Sequence, residues 1–176
     1  MTSELTSVHG IPLPLELAKV ARTRLVNYEA DHPGLGISAS YVGGYYQITL
    51  YVYDMGILDL PSNPTAPVVA TQFEQSIREA LAAGAEREDR LEFRDASTGS
   101  LTPGGDLHFL VAAFGREGDR DRFSSFLFLT VARSRFVKMR VSFIESSRAA
   151  ESLAVAIAKS YFVLLFPEGA PQQPLA

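Results

Sequence analysis

Between residues 90 and 144, four strand-like runs follow one another with connections too short to hold a crossover helix. They cover residues 90–96, 107–115, 123–132 and 135–144. Parallel neighbours need a dozen or more connecting residues, whereas antiparallel ones close through a tight turn. Arg133-Ser134 leaves room only for such a turn, so the last two runs pair antiparallel. The alternating charges of residues 116–122 suit a solvated hairpin tip. A doubly wound α/β domain is thereby excluded, and the chain is directed toward an antiparallel sheet with helices packed on it.

An earlier segment carries the clearest period-two signal. Ile37, Ala39 and Tyr41 alternate with serines, and Gly43-Gly44 supplies a hairpin turn. In the partner run, residues 45–54, one face takes Tyr46, Ile48, Leu50 and Val52, and the other takes Tyr45, Gln47, Thr49, Tyr51 and Tyr53.

Three segments read as helices. In residues 15–30, Leu17, Ala18, Ala21, Leu25 and Tyr28 recur at three- and four-residue spacing, and Pro33-Gly34 follows as a stop. In residues 67–85, Val69, Phe73, Ile77 and Leu81 form an i, i+4 stripe, with Gln72, Glu74, Gln75, Arg78 and Glu79 assigned to water and Gly84 to the end. Residues 147–166 are apolar most of the way round, yet Lys159-Ser160 interrupts them, so they suit a buried helix or a homodimer contact better than a membrane span. The expected fold is α+β, an antiparallel sheet of about six strands with flanking helices in the order α-β-β-α-β-β-β-β-α. Residues 1–14 form an N-terminal arm, residues 15–166 a single domain and residues 167–176 a flexible, proline-containing tail.

A chain of 176 residues with 47% hydrophobic and 20% charged residues can bury a sizeable core without a staple, which excludes disorder and coiled coils. The absence of cysteine removes disulfides, thiolate nucleophiles, iron–sulfur clusters and cysteine-bound zinc. His9, His32 and His108 lack metal-ligand spacing, so no metal is expected. No nucleophile elbow or phosphate-binding loop occurs, and neither Gly34-Leu35-Gly36 nor Pro103-Gly104-Gly105 has the required pattern. No cofactor is expected. Asp54 and Asp59 read as the ends of a solvated turn rather than an acid–base pair. The net charge of −4 disfavours nucleic acid, although aromatic and basic residues alternate around 133–140. The first seven residues lack a basic segment followed by an apolar run. The expected location is the cytoplasm, or the periplasm or exterior if a leader has been removed.

Strand phase gathers one candidate site. Phe136, Lys138, Arg140 and Ser142 share a face of their run, and His108 shares one with Leu110, Ala112 and Phe114. If these faces coincide with that of Gln47, Thr49, Tyr51 and Tyr53, then Tyr51, Tyr53, His108, Lys138 and Arg140 form a ligand- or partner-binding surface. Tyrosines beside two cations suit an anionic or aromatic ligand, or an acidic segment of a partner. The plainer alternative is a solvated face whose tyrosines shield the stems of Lys138 and Arg140.

Residues 45–54 and 136–140, together with the element order across residues 15–166, resemble small exported bacterial proteins and the layout of the PsbP-like superfamily. That resemblance implies an antiparallel sheet sandwiched by helices and a noncatalytic assembly or binding role, with no catalytic residues to carry over. The leading expectation is therefore a noncatalytic module that recognises a protein partner or an anionic ligand. A small hydrolase or isomerase with a pocket near Asp106 and His108, and an apolar small-molecule carrier with its cavity beneath the C-terminal helix, stand as alternatives.

Overall fold

The structure, a computed structural model, describes residues 5–86, 90–101, 108–116, 123–143 and 149–166. Strands β1 (Ser7–Val8) and β2 (Ile11–Pro12) form a short ladder of their own. They are followed by β3 (Glu16–Leu17), β4 (Val20–Asn27), β5 (Ile37–Val42), β6 (Tyr46–Tyr53) and helix α1 (Pro67–Glu86). Then come β7 (Leu91–Ser100), β8 (His108–Arg116), β9 (Ser124–Ala132), β10 (Arg135–Phe143) and helix α2 (Ala150–Phe162), which ends in a short 3-10 turn, Val163–Leu165. The main sheet runs β3-β4-β5-β6-β10-β9-β8-β7, with every neighbouring pair antiparallel.

This architecture corrects the expected one. The sheet has eight strands rather than six, and the described residues contain two α-helices rather than three. The difference arises in residues 15–30, which are a hairpin. Ala18 and Lys19 take positive φ values of 51° and 64°, the geometry of a two-residue turn that matches strand twist. β4 then pairs with β5, placing Arg22 opposite Tyr41 and Leu25 opposite Ala39, with a bulge between Arg22 and Arg24. The four-residue spacing of Ala21 and Leu25 fits a helix face, whereas the bulge sets the two on opposite faces of the strand. β4 has no fully buried residue, so no alternating burial sharpened the choice. Val20, Thr23 and Val26 supply the β-branched side chains that favour the strand.

β9 lies between β10 and β8 and is buried at all nine positions, because both of its faces are covered. Phe126 and Phe128 point into a core with Ile48, Leu50, Val137, Met139 and the α2 residues Ala154, Ile157 and Phe162. Leu127, Leu129 and Val131 point the opposite way, into a second core with Phe136, Phe114 and the α1 residues Val69 and Phe73. The sheet thus separates α2 from α1. Ala150, Ala154 and Ala158 form a row of small residues on the buried side of α2, and the rings of Phe109, Phe128 and Phe162 pack against one another beneath it. Two long-range hydroxyl bonds tie the early residues to this core: Tyr41 donates to the Pro14 carbonyl at 2.7 Å and Tyr161 to that of Pro12 at 2.8 Å. Among the described residues, no helix is long and apolar enough to cross a membrane.

Candidate functional site

The pairing of β6 with β10 brings two regions of the chain into one site. Tyr51 stands directly opposite Lys138, and Tyr53 opposite Phe136. These side chains lie on the α1 side of the sheet, where Tyr53 and Phe136 join the second core. The Lys138 ammonium lies 4.9 Å from the Tyr51 ring centroid and 5.3 Å from that of Tyr53, within cation–π range of both.

Helix α1 roofs this pair. It buries Val69, Gln72, Phe73, Ser76 and Ala80, so the buried stripe is rotated from the expected Val69-Phe73-Ile77-Leu81 line, and Gly84 is buried within the helix rather than ending it. Gln72, assigned to water by its polarity, is 8% exposed and donates from Nε2 to the Tyr53 hydroxyl at 3.1 Å. Ser76 accepts a long hydrogen bond of 3.5 Å from Lys138 Nζ. Glu79, also assigned to water, brings Oε2 to 3.9 Å from Nζ while remaining half exposed, and its Oε1 accepts from Gln75 at 2.9 Å. Gln72, Ser76 and Glu79 are spaced four and three apart, as one helix stripe requires. That spacing beside Val69 and Phe73 was the available signal for them.

Two loops build the mouth. The Glu29 carboxylate accepts from the backbone N–H groups of Gly34 and Gly36, and the Gly34 carbonyl accepts from Met55 N–H at 2.8 Å. Asp54 pairs with Arg135 at 3.0 Å and accepts from Gly56 N–H at 2.8 Å, so it anchors the second loop. Tyr28, Leu35 and Met55 are thereby held beside Tyr51, Tyr53, Gln72, Glu79 and Lys138 around an open cleft of about 200 Å³.

Burial governs the electrostatics. It pushes the Lys138 ammonium below its usual range; Glu79 opposes that shift and Arg140 adds to it. Burial raises the Tyr53 phenol to about 12, against smaller opposing effects of its bonds to Gln72 and Ser76. Lys138 carries three donors and has one protein acceptor within 3.5 Å among the described residues. A solvated-face reading does not describe it, since its side chain is only 15% exposed.

Arg140 does not line the cleft. Arg140 stands opposite Thr49 and donates from Nε to Ser125 Oγ at 3.0 Å, within a hydroxyl group completed by Ser142. The backbone of His108 is on β8, and β9 separates that strand from β10. Its side chain and the whole of Asp106 lie outside the described residues, as do residues 167–176 and most of the 116–122 loop. Asp59, His9 and His32 are exposed and line no part of the cleft. Among the described residues, no group of three or more histidine, aspartate or glutamate side chains is placed to hold a metal ion.

Because burial disfavours the Lys138 charge and Glu79 stays hydrated without it, Lys138→Met is expected to leave the unfolding free energy unchanged or raise it by about 1 kcal/mol. Urea unfolding at neutral pH checks this; a clear loss of stability would make the lysine a structural element.

No protein-family model matches the chain, and a search of curated proteins finds no match.

Proposed function

We propose that the protein is a noncatalytic binding module that takes a carboxylate-bearing small molecule into the cleft at Lys138. One observation carries this reading: a mostly buried ammonium lies at an open cleft with only a long bond to Ser76 and a distant carboxylate. A ligand carboxylate would supply the short, charge-assisted bonds that the protein itself does not. The tyrosine faces support the cation, and Leu35 and Met55 offer an apolar rim to the rest of the ligand. The aromatic packing beneath α2 favours this cleft over a carrier cavity on that side.

Saturation-transfer NMR with acetate, benzoate and 3-phenylpropanoate tests the reading. Wild type is expected to bind the larger carboxylates, and Lys138→Gln to weaken them by about tenfold or more, the loss of one charge-assisted contact. Arg140→Gln is expected to retain binding, because Arg140 serves the Ser125 hydroxyl outside the cleft. Equal binding by wild type and Lys138→Gln would overturn the proposal.

A further inference from the structure

We infer that the ligand of this cleft is zwitterionic: an α-amino acid with an apolar side chain, its carboxylate on Lys138 and its ammonium on Glu79. The inference rests on the carboxylate-binding reading and sharpens it. Among the described residues the cleft is lined by one cation and one anion, and they hold each other at arm's length. Nζ and Oε2 are 3.9 Å apart, whereas a close ammonium–carboxylate bond measures about 2.7–2.9 Å. Gln75 occupies Oε1 of Glu79, which leaves Oε2 directed toward the lysine.

A simple carboxylate entering here gains Lys138 but brings its charge close to Glu79, and like charges at short range in a partly buried site repel. A zwitterion meets both charges with their opposites. In an α-amino acid the nitrogen and the carboxyl carbon are two bonds apart, about 2.5 Å, which suits a protein pair separated by 3.9 Å.

The remainder of the cleft selects the side chain. Tyr28, Leu35 and Met55 are 37%, 44% and 41% exposed, an apolar mouth that a hydrophobic substituent would cover. The volume of about 200 Å³ exceeds the roughly 150 Å³ cavity that takes benzene, so one ring or a branched aliphatic group fits. Dianions find one cation lining the cleft among the described residues.

Isothermal titration of the full chain with L-phenylalanine, 3-phenylpropanoate and 2-phenylethylamine separates the contributions, since the last two probes each lack one charge. Wild type is expected to bind L-phenylalanine about tenfold more tightly than either. Glu79→Gln should weaken L-phenylalanine and strengthen 3-phenylpropanoate, and Lys138→Met should lose both. Thermal melts confirm that both variants fold. If wild type binds 3-phenylpropanoate as tightly as L-phenylalanine and Lys138→Met abolishes it, the zwitterion inference fails while the carboxylate reading stands. Absence of binding for all three up to about 10 mM overturns both.

Discussion

Gly36→Ala is expected to lower the unfolding free energy by about 2–5 kcal/mol, the sum of a backbone penalty and an overpacking penalty. Gly36 has a φ of 65°, a left-handed conformation that L side chains rarely adopt. A Cβ built there would collide with the Val52 carbonyl oxygen and lie 2.8 Å from Tyr53 Cα, both of them β6 backbone. Neither can swing aside as a flexible side chain would. Gly36 is also held on its other sides: its carbonyl accepts from Tyr28 and Glu29 N–H at 2.9 and 3.1 Å, and its N–H donates to the Glu29 carboxylate at 2.9 Å. Relief by movement therefore breaks the loop that presents Tyr28 and Leu35, so ligand binding falls with stability. Gly44→Ala is the control, because a Cβ there meets nothing within 4 Å and its φ is not positive. Urea midpoints at unchanged slope measure both variants. A Gly36→Ala midpoint indistinguishable from that of Gly44→Ala would refute the account.

The same collision shows what the sequence could and could not disclose. Gly34 was legible as a glycine in a turn, but the partner that forbids a side chain at Gly36 is β6, fixed only by strand order. Strand phase was legible wherever both faces were buried or sharply contrasted. Val137, Met139 and Val141 do oppose Phe136 and Lys138, and β9 is covered on both faces. Phase placed Tyr51, Tyr53 and Lys138 on one face, yet equally placed Arg140 and His108 there. Only the β6-β10-β9-β8 order separates the first three from His108, and only the position of α1 separates Lys138 from Arg140. β4 was misread because a half-exposed strand near the sheet edge carries little alternation, and its bulge breaks the period further. Gln72 was given to solvent on its polarity and is buried, whereas Glu79 is exposed as expected and still reaches toward Lys138. A polar residue under a helix is retained when it meets a polar partner, here Tyr53 for Gln72, and that partner lies across the sequence.

Three buried phenols make the fold sensitive to alkali, and unfolding is expected between about pH 10 and pH 12. Tyr41 and Tyr161 are fully buried and Tyr53 is 6% exposed. Burial is the chief cause in each case. It raises Tyr41 and Tyr53 to about 12 and Tyr161 further still, with Arg22 partly opposing the shift at Tyr41. A folded-state value above the unfolded one means that the folded protein holds its proton longer. The stabilisation is complete below pH 10 and is lost as pH climbs through the folded-state range. With all three groups engaged, the slope approaches about 4 kcal/mol per pH unit, against a typical total stability of about 5–15 kcal/mol. Lys138 acts in the opposite sense, because its value is lowered: it adds stability between its folded-state pKa and 10.5, then contributes no further change. One proton there does not offset three phenols. Tyr41 and Tyr161 donate to the Pro14 and Pro12 carbonyls, so their ionisation also removes the bonds that dock residues 11–14. Tyrosinate absorbance and circular dichroism followed together give the test: three phenols should ionise in the same step in which the sheet signal disappears. Tyr161→Phe removes one of the three ionisations and should cut the slope by about a third. A sheet that survives full tyrosine ionisation would refute this account of the core.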